Sequence, residues 1–189
     1  MLVFILNLMS LSSFLEVLYF LFPVAIANMM PVFVKRVPFL NMPLDFRKTL
    51  FGERILGTHK TWRGDFFGIL GGILAVWLQQ LLYFLPFFQR LSVIDYATLP
   101  IFSFGFLMGF GVMFGDALGS FFKRRLQYPP GASFMPFDQI VAPLGAMVFV
   151  LPYYRVSFSF FILALAVSFL IHLIIKYIGF LLKFERRKF

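Results

Sequence analysis

The stretch Gly115-Asp116-Ala117-Leu118-Gly119-Ser120-Phe121-Phe122-Lys123-Arg124-Arg125 sets one acid, one hydroxyl and three cations at the end of an apolar run. At about 100° per residue, Asp116, Ser120, Lys123 and Arg124 fall on one helical face, the acid inside the run and the cations at its edge. Charged groups at membrane depth are costly and mark sites of function. This order suits a metal held over a phosphate.

A second acid completes that reading. Of the eight acids, Glu16 and Asp95 fall at the outer face and Glu185 in the tail, leaving Asp45, Glu53, Asp65, Asp116 and Asp138. Asp116 and Asp138 sit just inside apolar segments on either side of one short loop, and are the best pair of metal ligands. Each taken alone has a structural alternative: Asp116 as an ion-pair partner of Lys123 or Arg124, and Asp138 as a carboxylate favoured by a helix N-terminus. A third group, Arg54 to Gly64, offers cations, hydroxyls and two glycines that could wrap phosphates, with Lys60, Thr61 and Arg63 foremost. It has no Walker A spacing, and lysines or arginines beside a membrane helix also snorkel to lipid headgroups. Asn28 reads equally as glue between helices or as a substrate contact.

These residues need helices to position them. The chain has 189 residues, is 61% hydrophobic, carries 30 Phe and is only 13% charged, which is the composition of an integral membrane protein. The expected class is all-α and polytopic, a single membrane domain over 1–189 with about five transmembrane helices. They are expected at about 13–34, 66–88, 99–121, 136–153 and 156–181, joined by loops 35–65 and 122–135 on the catalytic side. Pro136, Pro143 and Pro152 make the fourth the weakest, short or kinked. The glycines of the second and third helices are read as close packing rather than ligand binding. The start lacks a basic, cleavable signal, so its apolar run is expected to stay as a membrane helix.

Charge sets the sidedness. The 17 Lys and Arg against 8 Asp and Glu give a net charge of +9, and 15 of the 17 fall on one set of alternate sides, leaving 2 on the other. The positive-inside rule puts the N-terminus outside, and both basic loops and the C-terminal tail in the cytoplasm of a cell membrane. Beside membrane helices such an excess points to anionic lipid or phosphate rather than nucleic acid. The absence of cysteine excludes disulfides and thiolate chemistry. With only His59 and His172, the latter within an apolar helix, a histidine-rich zinc or iron site is not expected, and neither is a histidine nucleophile.

Asn28 to Pro31, Arg54 to Gly64, Gly115 to Arg125 and Pro130 to Gln139 together resemble the CDP-archaeol synthases, CTP-dependent lipid cytidylyltransferases related to the phosphatidate cytidylyltransferases. Members carry pieces like N-x-x-P, K-T-x-R-G and G-D-x-x-x-S-x-x-K-R, and a proline-rich turn leading into D-Q-L-D. The resemblance implies transfer of CMP from CTP to an archaetidic or phosphatidic acid type of lipid phosphate, with release of pyrophosphate. It implies Mg²⁺ on Asp116 and Asp138, catalytic roles for Asp116, Lys123 and Arg124, and substrate contacts from Lys60, Thr61, Arg63, Ser120, Asn28 and Gln139. One departure stands out, since the chain reads Asp138-Gln139-Ile140-Val141 where relatives read D-Q-L-D. That departure carries the alternative expectation of a non-catalytic lipid-binding or transport homologue.

Overall fold

The computed structural model describes residues 10–129, 134–155 and 157–181, with the side chains of 176 and 178–181 left aside. The expected turn at Pro130 to Ser133, and the tail with Glu185 and its lysines and arginines, lie outside the described residues. Among the described residues the helices are α1 (Leu11–Phe33), α2 (Trp62–Leu82), the short α3 (Pro86–Leu91), α4 (Ile101–Arg125), α5 (Phe137–Val150) and α6 (Phe158–Leu181). The only strands among the described residues are β1 (Thr49–Leu50) and β2 (Glu53–Arg54), a small antiparallel hairpin in the loop before α2.

Four of these helices are long and apolar enough to cross a bilayer, while α5, at 14 residues, is shorter. At 1.5 Å per residue α5 spans about 21 Å, short of the roughly 30 Å hydrocarbon core. Helix ends follow local chemistry. The Thr61 hydroxyl accepts from the Gly64 amide at 3.2 Å, so α2 starts at Trp62 rather than 66. Pro86, which cannot continue a helix from before it, opens α3, so the expected run to 88 breaks after Leu82. The α4 helix continues to Arg125 rather than 121, its last turn carrying Lys123, Arg124 and Arg125 against the helix dipole.

Helix α4 is central, with α2 on one side and α5 on the other, and glycines make both approaches possible. A Cβ on Gly109 would lie 2.7 Å from Ile69 Cα of α2. One on Gly115 would lie 2.0 Å from the Val141 carbonyl oxygen of α5. Both are impossible separations, so glycine is required for backbone contact. The core between these faces holds Val17, Phe20, Val76, Phe104, Met108, Val112, Ala146 and Met147, all buried.

The bundle has two distinct ends. At one, α1, α4 and α6 arrive while α2 and α5 depart, and the loop 34–61 folds over it. At the other, Gln79 is fully buried; its Nε2 donates to the Tyr19 carbonyl at 2.6 Å and its Oε1 accepts from the Tyr96 hydroxyl at 2.9 Å. Burial, reinforced by nearby Tyr19, holds the Tyr96 phenol far above its ordinary pKa.

Candidate active site

Asp116, Ser120, Lys123 and Arg124 of α4 line a single polar cavity of about 340 Å³ at the loop end of the bundle. Asn28 of α1, Asp138 of α5, His172 of α6 and Leu56 to Lys60 of the preceding loop form its other walls. The 3.6-residue spacing of α4 therefore gathers its polar residues on one face, opposite the lipid-like surface of Phe114, Leu118 and Phe122.

Each carboxylate holds a lysine from another part of the chain. Lys60 Nζ donates to Asp116 Oδ2, joining the loop to α4. Lys123 Nζ donates to both oxygens of Asp138, at 3.1 and 2.9 Å, joining α4 to α5. Asp138 also accepts from the Phe134 amide at 2.9 Å and lies in the first turn of α5, where the helix dipole favours an anion. The Ser120 hydroxyl donates to the Asp116 carbonyl at 3.0 Å, which leaves its lone pairs toward the cavity. Arg124 is buried and donates to the Pro129 carbonyl at 3.4 Å.

The loop over the cavity is folded around Asp45, which is buried. Its carboxylate accepts from Arg54 Nε at 3.2 Å and from Arg54 Nη2, and from the amides of Arg47, Leu56 and Gly57 at 3.0, 3.2 and 3.3 Å. Burial works against the charged form, but the Arg54 hydrogen bonds, the amides and the Arg54 charge outweigh it and hold the carboxyl below its ordinary range. Gly57 follows with φ of +94°, a left-handed conformation that suits glycine, and this turn aims Thr58, His59 and Lys60 into the cavity. Arg125 fastens the hairpin to the end of α4, donating to the carbonyls of Leu50, Glu53 and Arg54.

Seven of the ten residues singled out from sequence line the cavity: Asn28, Lys60, Asp116, Ser120, Lys123, Arg124 and Asp138. Three do not. Thr61 caps α2. Arg63 is buried and donates to the Val37 carbonyl, and its Nε has no hydrogen-bond partner among the described residues, so it ties the loop to α2. Gln139 is buried, with its carbonyl accepting from Ser168 of α6 at 3.5 Å.

His59 and His172 were not expected in any such cluster, yet both line the cavity beside Ser120 and Arg124. A polar side chain at membrane depth that faces the bundle interior was the signal for His172. Val141, where the resemblance led to the expectation of an acid, packs instead on α4 at Gly115 and Gly119. It lines a separate apolar groove of about 390 Å³ between α4 and α5, with Phe114, Leu118, Ile140 and Leu144.

Among the described residues no three or more His, Asp or Glu gather as a metal cluster. Two oxygen donors are what Mg²⁺ needs from a protein when substrate phosphates and water supply the rest, so Asp116 and Asp138 fit that ion in a nucleotide complex.

Residues 5–188 match a protein-family model described as CarS-like: CDP-archaeol synthase. The CDP-archaeol synthase of Pyrococcus furiosus is 36% identical over 159 residues, covering 84% of this chain and 87% of that protein. That of Archaeoglobus fulgidus is 40% identical over 151 residues, covering 76% and 82%. A solved structure described as an intramembrane enzyme for archaeal membrane lipids biosynthesis superposes with a TM-score of 0.68 at 28% identity, covering 83% of this chain and 90% of that one.

Proposed function

The chain belongs to the CDP-archaeol synthase family, and we propose on that footing that its polar cavity transfers CMP from CTP to a membrane lipid phosphate. An oxygen of the lipid phosphate bonds to the α-phosphorus of CTP. The bond from that phosphorus to the oxygen bridging to the β-phosphate breaks, and pyrophosphate leaves with the electron pair. The attacking oxygen is already ionised near neutral pH, so no general base is needed; the work is positioning and charge stabilisation.

The observation that carries this reading is the pairing of Lys60 with Asp116 and of Lys123 with Asp138 around one cavity under a folded loop. Lys60, Lys123 and Arg124, with the turn at Gly57 to His59, supply the donors that a triphosphate requires, and Ser120 lines the wall beside them. Asp116 and Asp138 would hold Mg²⁺, which when bound neutralises phosphate charge and orients the reacting oxygens. Asn28 lines the same cavity and offers an amide to a substrate hydroxyl or phosphate. Thr61, Arg63 and Gln139 act by holding the loop and helices in place.

Sidedness belongs to the same proposal. The basic loops face the cytoplasm, where CTP is made, and the Tyr96 end faces outward. The purified chain in detergent, given CTP, Mg²⁺ and either ether- or ester-linked lipid phosphate, should release pyrophosphate in step with lipid consumed. No release with either lipid class overturns the reading.

A further inference from the structure

Helix α6 is the least buried of the four long spans, with 17% of its membrane window buried against 33 to 44% for the others. It packs only on α1 and α5 to any extent. Its sequence from Phe158 to Ile175 is apolar except for Ser159, Ser168 and His172. Ser168 Oγ donates to the carbonyl of Gln139, the residue after Asp138, which fixes the height of α6 beside the start of α5. His172 lies one turn farther along, about 6 Å closer to the loop end, and lines the polar cavity with Lys123 and Asp138.

The cavity thus has two unlike sides. Leu56 to Lys60 and Arg124 come from the folded loop and the cationic end of α4. His172 comes from the least buried of the long spans, one turn beyond Ser168 toward the loop end. We infer that His172 is a binding residue for the lipid phosphate, donating a hydrogen bond to its phosphate oxygens as the headgroup slides from the bilayer toward Asp138 and Lys123. The inference rests on the transferase reading for the identity of the lipid, but its test does not need turnover.

The full chain in detergent is melted with a short-chain diether or diacyl glycerol phosphate, with the same lipid lacking phosphate, with inorganic phosphate, and with CTP, Mg²⁺ being present throughout. The wild type should be protected by the lipid phosphate and by CTP, not by the dephosphorylated lipid. In His172→Ala the half-protecting concentration of lipid phosphate should rise about tenfold or more, as for loss of one charge-assisted hydrogen bond, while that of CTP stays within about twofold. His172→Gln, which keeps a donor, should fall between and decides the matter if the alanine variant does not fold. The inference is overturned if the variants bind lipid phosphate as the wild type does, if CTP protection weakens in parallel, or if inorganic phosphate or the dephosphorylated lipid protects equally. Failure of pyrophosphate release with intact, His172-dependent lipid phosphate protection would overturn the transferase reading alone.

Discussion

Replacing Lys123 with Met would leave Asp138 with the Phe134 amide and remove a cation from the cavity wall. The KM for CTP should rise about tenfold or more, as expected for a lost charged hydrogen bond. Steady-state pyrophosphate release measures it, and an unchanged KM would remove Lys123 from phosphate binding. Asp116→Asn keeps the size of the side chain but loses its charge. Turnover should fall by at least about a hundredfold, the scale of one lost electrostatic contribution to a transition state, with the melting temperature near that of the wild type. Full activity in this variant would rule out the proposed role. The α4 edge of the cavity was legible in the sequence because Asp116, Ser120, Lys123 and Arg124 obey one local period. Arg63 was not, since its turn toward Val37 depends on where a distant backbone carbonyl lies.

At the scale of elements, the loop before α2 is gathered internally around one carboxylate, Asp45. Asp45→Asn removes the charge that gathers Arg54 and three backbone amides, so the Leu56 and Gly57 amides should exchange with solvent at least about tenfold faster at neutral pH. The pH dependence has a definite sign. Because the folded-state pKa of Asp45 is lowered, its stabilising contribution is complete above the ordinary value of 3.8 and is lost as pH falls through the lower folded value. The wild-type loop should therefore loosen only in acid below about pH 4, and the Asn variant should lack that transition. At the opposite end, Tyr96→Phe leaves Gln79 Oε1 buried without its donor. The expected loss is about 1–3 kcal/mol in a melting experiment, with a silent substitution showing that the Gln79 network does not bear on stability. The sequence did not reveal Asp45 as the centre of that loop, because Arg54, Leu56 and Gly57 reach its carboxylate only once the irregular segment from 45 to 57 closes on itself.

For the whole molecule, the order of apolar runs and the alternation of basic loops foretold a helical membrane bundle, and helix ends departed from expectation where Thr61 and Pro86 set them. The shortness of α5 was signalled by its prolines, whereas the sharing of one cavity by α1, α4, α5 and α6 had no local signature. Sidedness can be read directly because the chain has no cysteine. Thr49→Cys in the hairpin and Ala97→Cys near Tyr96, both at exposed positions, give single reporters. In intact cells an impermeant thiol reagent should label the second and spare the first, and the reverse pattern would invert the proposed topology.

The paired side chains of the cavity also fix an ionic ledger. Lys60, Lys123 and Arg124 stand against Asp116 and Asp138, so three fixed cations face two fixed anions. A nucleoside triphosphate carries more negative charge than that small surplus can balance, and in a recess walled by apolar helices the imbalance is not screened as it is in water. On the proposed reading, nucleotide occupancy is therefore tied to whatever countercharge accompanies the nucleotide, so the guest would enter neutralised rather than as a bare anion.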